Sequence, residues 1–294
     1  MAFRFGPAGR PTTYKGSTVD VPSFLRKIGL NAFEYQAVRG VKIRDEDAVR
    51  LGENAIANDV LLSLHAPYFI NFSSDKSSVV EKSIERLTKS LKAAYAMEAY
   101  VVVFHPGYYG NLSPVEATKK VIANLNKVVD VVDRNILKRV FIGPETTGRK
   151  KQVGSLEEII MICRGVDHSR PVVDWAHLYA RSEGTFIVSE SDVIDVIEKI
   201  ERELGKDPLK PLHCHYSKIA YGKGGEREHK TLDASGYGPD FTMICRTLLN
   251  IGVEAVFISE SPILEKDALR MKKIYEEEVS RIAEHVERKG KALD

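Results

Sequence analysis

Eight short apolar runs recur along the chain, and each is followed by a longer segment in which apolar positions return every three or four residues. The short runs are Phe3–Gly6, Ala32–Gln36, Val60–His65, Tyr100–His105, Val140–Glu145, Val172–Asp174, Leu212–His215 and Glu254–Glu260. Helices are expected over Asp75–Glu98, Pro114–Asn135, Ser155–Cys163, Ser189–Leu204, Asp240–Asn250 and Glu265–Lys289. Asp75, Ser113 and Ser155 stand where an N-cap oxygen satisfies free backbone N–H groups, and Ser155 with Glu158 has capping-box spacing. Gly29, Gly205 and Gly252 mark helix ends.

A strand–helix unit repeated eight times folds either as a closed barrel or as an open doubly wound sheet. No Gly-x-Gly-x-x-Gly follows the first strand and no Gly-x-x-x-x-Gly-Lys occurs, which favours closure. The expectation is an α/β protein, a (β/α)8 TIM barrel forming a single domain over residues 1–294. Gly222-Lys-Gly-Gly225 follows the seventh strand and is expected to be a mobile active-site loop, with a phosphate cradle as the alternative.

Length alone allows one barrel or two ordinary domains, and no linker, low-complexity tract or further repeat divides the 294 residues. With 43% apolar and 29% charged residues the chain can bury a core, which excludes disorder. A net charge of +2 excludes a nucleic-acid binder that works by bulk charge, and leaves room for a local basic face. Cys163, Cys214 and Cys245 are odd in number and widely spaced, so neither a disulfide framework nor an all-cysteine zinc site is expected, and a reducing compartment is. Met1–Arg10 has no apolar run of signal-peptide length, and no stretch has the length of a membrane span. The expected location is cytoplasmic.

The histidines change the picture most. Of eight, six (His65, His105, His177, His213, His215 and His229) lie at C-terminal strand ends or in the loops just beyond; His168 and His285 do not. That face of an α/β barrel is where active sites form. Glu145, Asp174 and Glu260 end the fifth, sixth and eighth strands, and Glu226 and Glu228 lie near His229. Mixed imidazole and carboxylate ligands suit zinc first, then manganese or iron, and they outnumber what one tetrahedral ion uses, so a multinuclear site is expected.

Each residue also has a plainer reading. A single strand-end histidine is more often a satisfied polar residue than a ligand; six together reverse the balance. Asp174-Trp-Ala-His177 can bring carboxylate and imidazole side by side. His213 and His215, two apart, face the barrel interior together on a regular strand, one as ligand and the other as a substrate contact. Tyr108 and Tyr109 read as loop packing before nucleic-acid platforms, Lys150 and Lys151 as a solvated loop before phosphate contacts, and Lys272 and Lys273 as solvated.

Leu64-His-Ala-Pro-Tyr-Phe-Ile-Asn71, Phe104-His-Pro-Gly107, Pro144-Glu-Thr-Thr-Gly148, Val173-Asp-Trp-Ala-His177, His213 through Lys218, and Ile258-Ser-Glu260 occur in the order and spacing of the endonuclease IV family, which the chain resembles in an archaeal-type branch. The resemblance implies a barrel with three zinc ions held by His65, His105, Glu145, Asp174, His177, His213, His229 and Glu260. The family's ninth ligand, an Asp two residues before His229, is Arg227 here, so Glu226, or else Glu228, is expected to substitute, with His215 a further possible replacement. His213-Cys-His-Tyr216 stands where the family has His-x-Asn-Asp. The implied activity is hydrolysis of the backbone of double-stranded DNA on the 5′ side of an abasic site, leaving a 3′-hydroxyl. Glu145 would bridge two ions, Glu260 would orient the nucleophile, and Tyr68 and Arg39 resemble residues of DNA-penetrating loops, with ordinary loop residues as their plainer reading.

The same superfamily contains metal-dependent sugar isomerases and epimerases, which form the leading alternative, although they use fewer ions and more carboxylates. A DNA-binding protein without catalysis would leave the ligand set without a purpose. A monomer and no membrane partner complete the expectations.

Overall fold

The computed structural model describes residues 3–291, with side chains described up to residue 284; Met1, Ala2 and the side chain of His285 lie outside the described residues. Eight parallel strands form the inner ring: Arg4–Pro7, Ala32–Gln36, Leu61–His65, Val101–Phe104, Phe141–Pro144, Val172–Asp174, Leu212–Tyr216 and Ala255–Ser259. They pair as two runs of four, first–eighth–seventh–sixth and second–third–fourth–fifth. Parallel bridges Ala8 to Glu34 and Glu145 to Val172 close the ring between them.

Strand residues alternate between the two sides of this ring. Phe5, Phe33, Leu62, Leu64, Val102, Phe104, Val173 and Phe257 point outward and join the helices in the main hydrophobic core. The inward set is small. Ala32, Val256 and Ile258 form one apolar cluster inside the barrel, and Val101, Val103 and Val172 form another. Gly6 is inward on the first strand, where a Cβ would lie 1.8 Å from the carbonyl oxygen of Ala32. Gly6→Ala is therefore expected to push the first and second strands apart, destabilising the fold by about 1–3 kcal/mol or more. Calorimetry should show a fall of several degrees in Tm, and an unchanged Tm would contradict the close approach.

The outer layer follows the helical periodicity with a few differences. Ser113 and Ser155 make full capping boxes with Glu116 and Glu158, and a third forms from Ser189 and Asp192. Asp75 is not a cap: Lys76 holds that position for Ser77–Ala96, and Asp75 pairs with Lys120 at 2.5 Å. The helix expected over Pro114–Asn135 stops at Val131 because Val132 turns extended, and Asp133 caps a separate turn at Arg134–Leu137. The helices after the first and second strands are Val21–Lys27, which ends just before Gly29, and Asp45–Ala57, while Trp175–Arg181 is a further short helix after the sixth strand. Lys272 is not merely solvated, since its Nζ donates to Gly29 O at 2.7 Å.

Two antiparallel strand pairs stand outside the ring, Gly107–Tyr108 with Gln152–Val153, and the hairpin of Lys218–Gly222 with Gly225–Lys230. Gly222–Gly225 is therefore a hairpin turn rather than a free loop. Gly225 has φ +86°, and a Cβ there would meet Gly148 O at 2.0 Å. Glu226 N donates to that same oxygen at 3.0 Å, and Lys150 N donates to Gly224 O at 3.1 Å. The glycines let this turn lie against the segment after the fifth strand; they do not present a phosphate cradle. Among the described residues no helix is long and apolar enough to cross a membrane.

Candidate metal centre

Above the apolar layer, the last inward position of six successive strands is polar: His65, His105, Glu145, Asp174, His215 and Glu260, counting the residue just past the strand end where the strand itself stops one short. Pairing sets Asp174 opposite His215, while the stagger of the ring sets Glu145 opposite Val172 and His65 opposite Val103, so the six side chains meet at the C-terminal mouth without lying in one register row. Helix Trp175–Arg181 starts directly at the sixth strand, with the Asp174 side chain as its cap accepting from His177 N at 2.8 Å. That capping bond explains the Asp-x-x-His spacing: the residue three after a cap lies on the turn facing it.

Three overlapping sets of ligand atoms converge here, each within 4.8 Å: His65, His105 and Glu145; Glu145, Asp174, His177 and Glu260; and His177, Glu226 and His229. In the first, His65 Nε2 and His105 Nε2 lie 3.3 and 3.2 Å from Glu145 Oε2. His65 Nδ1 donates to Ala66 O at 2.8 Å, which leaves Nε2 as a lone pair aimed inward. His177 is held likewise, with Nδ1 donating to Thr146 O at 2.9 Å and Nε2 at 3.6 Å from Glu226 Oε2. His229 has Nδ1 against Ser217 Oγ at 2.8 Å and Nε2 at 3.7 Å from Glu260. A fourth set, Glu34, His213 and His215, lies deeper and fully buried.

The electrostatics show charge gathered at a buried point. Against the upward push of burial, His215, His105 and His177 hold the Glu145 carboxyl well below the usual carboxylate range. Against the downward push of burial, Asp174, Glu145 and Glu226 raise His177, and Glu34, Glu145 and Glu260 raise His215. Burial pushes Glu260 up to about 8; the nearby Glu145 and Asp174 add to the push and His215 opposes it. Three carboxylates packed together out of water need a cation or protons between them. Asp174 Oδ2 is buried and has no hydrogen-bond partner among the described residues. The donor set, the inward lone pairs and this orphaned oxygen together fit divalent metal ions of the zinc type.

The residues singled out in the sequence fall into several places. His65, His105, Glu145, Asp174, His177, His229 and Glu260 meet in the convergent sets, while His213 sits one layer below. Of the two candidate substitutes, Glu226 stands beside His177 and His229, whereas Glu228 is exposed and pairs with Lys230 at 2.6 Å. Glu226→Gln is expected to lower the ions bound per chain by one and Glu228→Gln to leave the number unchanged, as read by elemental analysis; equal content in both variants would remove Glu226 from the centre. Tyr68 packs its ring 5.2 Å from His65 and 5.6 Å from His105 at the edge of a mouth cavity of about 340 Å3 shared with Tyr108, Arg149 and Gln152. Arg39 lies away from that cavity, in a separate basic cleft with Lys42, Lys82, Arg86 and Lys89. Tyr109 is a packing residue whose O–H donates to Glu158, and Lys150 pairs with Glu183.

Sequence patterning misses Glu34. Its signal is a carboxylate in the middle of the apolar run Ala32–Gln36, at the same parity as the barrel-facing Ala32.

Comparison with known proteins agrees with this geometry at the level of the fold. Over 275 residues the chain is 35% identical to an uncharacterized protein of Methanocaldococcus jannaschii, covering 93% of this chain and 97% of that one. Probable endonuclease 4 of Geobacillus is 31% identical over 168 residues, a match that spans 56% of this chain and about half, 54%, of that relative. Among solved structures, a D-tagatose 3-epimerase-like protein superposes with a TM-score of 0.68 at 20% identity, covering 92% of this chain and 97% of its own. Endonuclease IV from Thermus thermophilus superposes with a TM-score of 0.67 at 18% identity, covering 95% and 99%. The family model of the xylose isomerase-like TIM barrel matches residues 22–285, and the chain belongs to that family.

Proposed function

We propose that this protein is a metal-dependent phosphodiesterase that cuts duplex DNA on the 5′ side of abasic sites. The observation that carries the reading is that Glu145 belongs to two neighbouring ligand sets, beside a third set of His177, Glu226 and His229, which makes a histidine-rich centre rather than a single-ion site. His65, His105, Glu145, Asp174, His177, Glu226, His229 and Glu260 would hold the ions. Such ions supply Lewis acidity toward a phosphoryl oxygen and ease deprotonation of water.

The chain's own groups do the rest. Glu145, held ionised by its histidines, keeps a fixed negative charge at the centre. Glu260 lines the cavity and takes the proton of the attacking water at its carboxylate, in the form that a neighbouring cation favours. Arg149 on the cavity wall offers a guanidinium to the phosphate, and the exposed Tyr68 and Tyr108 rings offer flat faces to a base or sugar. The match to probable endonuclease 4 supports the same reading.

One observation favours a second reading, epimerisation of a small sugar: Glu145 lies low and Glu260 stands at about 8, a split pair of carboxyls such as proton abstraction and return require. One experiment separates the two. Metal-loaded protein is incubated with a duplex carrying one abasic analogue and, in parallel, with a free ketose. Incision 5′ to the lesion, reduced roughly 10²- to 10⁴-fold by Glu260→Gln, is expected. Epimerised ketose with intact duplex would replace the hydrolytic reading.

A further inference from the structure

We infer that His215, through Nδ1, is the seventh strand's ligand to the ion held by Glu145, Asp174 and Glu260, that Glu34 is its positioning residue, and that His213 is not a ligand. The inference rests on the metal reading of the centre and reassigns the residue that sequence resemblance points to.

Register is the first ground. The sixth and seventh strands pair Asp174 with His215 and Val172 with His213. His215 is therefore opposite Asp174, while His213 is opposite Val172, which packs with Val101 and Val103 in the apolar layer.

Hydrogen bonding is the second. Both nitrogens of His213 are engaged: Nδ1 is 2.5 Å from the Tyr100 hydroxyl and Nε2 is 3.1 Å from Glu34 Oε2. Carboxylate oxygens only accept, so Nε2 carries the proton and Nδ1 accepts from the phenol. No lone pair of His213 is left for an ion. Glu34 Oε2 also accepts from Ser63 Oγ at 2.9 Å and from His215 Nε2 at 3.1 Å, while Oε1 accepts from Gln36 Nε2 at 2.9 Å. A carboxylate so fully bonded fixes the His215 ring and places its proton on Nε2.

The remaining nitrogen, His215 Nδ1, is 3.2 Å from Glu145 Oε1 and 3.3 Å from Glu260 Oε1. Three electron-rich atoms facing one another in a buried space call for a cation, and a carboxylate behind the imidazole is the arrangement that orients metal-bound histidines. Because Glu34 occupies Nε2, His215 binds through the nitrogen opposite to that used by His65 and His177, whose Nδ1 atoms donate to carbonyls. His215 is fully buried beneath Glu145, so it has no substrate to touch.

The opposite nitrogen gives the test. The full chain, labelled with 15N-histidine and loaded with 113Cd, is expected to show one ring coupled to cadmium through Nδ1 and the other bound rings through Nε2. The Nδ1 signal should vanish in His215→Gln and persist in His213→Gln, which keeps the wild-type cadmium content. Glu34→Gln should keep the fold, shift the His215 Nε2 resonance and weaken one ion by about 10- to 100-fold. The wild-type spectrum decides the matter even where a variant does not fold: a loaded chain with rings bound only through Nε2 overturns this assignment alone and leaves the hydrolytic reading standing. Unchanged affinity in Glu34→Gln removes its positioning role. A chain that takes up no cadmium overturns both the assignment and the centre itself.

Discussion

Glu145→Gln is expected to remove two ions from the chain and to reduce turnover by on the order of 10³-fold or more, the scale set by losing several kcal/mol of metal-assisted stabilisation. Glu145 is fully buried at the end of the fifth strand, and its two oxygens face His65 and His105 on one side and His177 and His215 on the other. An amide of the same size keeps one acceptor oxygen but turns an NH2 toward imidazole lone pairs, so shape survives while the shared charge does not. Elemental analysis after gel filtration, with incision of the abasic duplex measured on the same sample, checks both halves. Wild-type ion content in Glu145→Gln would show that the two neighbouring sets do not share this residue.

The second large effect is in pH. In the metal-free chain Glu260 stands at about 8 against 4.5 for an ordinary glutamate, and His177 and His215 stand above 6.5. All three bind a proton more tightly folded than unfolded. Their contribution is full below the unfolded values and is lost as pH rises through the folded ones. Glu145 and Glu34 are shifted down, so their contribution is present above 4.5 and is lost as pH falls through their folded values. Metal-free protein should therefore melt at progressively lower temperature between about pH 6 and pH 9. Zinc replaces the missing protons, so its stabilisation, about 2.7 kcal/mol per site at a free concentration of 100 Kd, should be larger near the alkaline end, where protons no longer compete. Differential scanning calorimetry with and without zinc tests the sign: a metal-free Tm that rises over this interval would mean that the carboxylates do not converge.

The eight strands were legible because parallel strands with both faces covered are short apolar runs, and their polar last residues stood out against that background. His65, His105, Glu145, Asp174 and Glu260 could be read in this way. What could not be read was depth. His213 and His215 have the same parity, and the pairing of the latter with Asp174, together with the hydrogen bonds that occupy both nitrogens of the former, separates them. Glu226 and Glu228 also share parity in the sequence, and a bulge in the hairpin separates them: Glu228 pairs with Ala220 but Glu226 with the next residue, Tyr221, so Arg227 is the extra residue and the two glutamates turn to opposite faces. The hairpin itself was hidden because Gly225-Glu-Arg-Glu-His-Lys230 contains no apolar residue to show strand periodicity; its order comes from backbone contact with a neighbouring segment. Glu34 was hidden by its apolar surroundings, since strand patterns mark the face a residue takes and not the partner it meets there.

The hairpin Lys218–Lys230 also sets a schedule for the centre. It carries Glu226 and His229, which complete the set with His177, yet it lies outside the closed ring of strands. Local opening of such a segment needs far less free energy than opening the barrel. A chelator would therefore meet a centre of graded lability: a rim ion would leave as the hairpin opens and closes, whereas ions against Glu145, held by the ring itself, would leave more slowly. Metal content in a purified sample would then record the history of its exposure to chelators as well as its affinity.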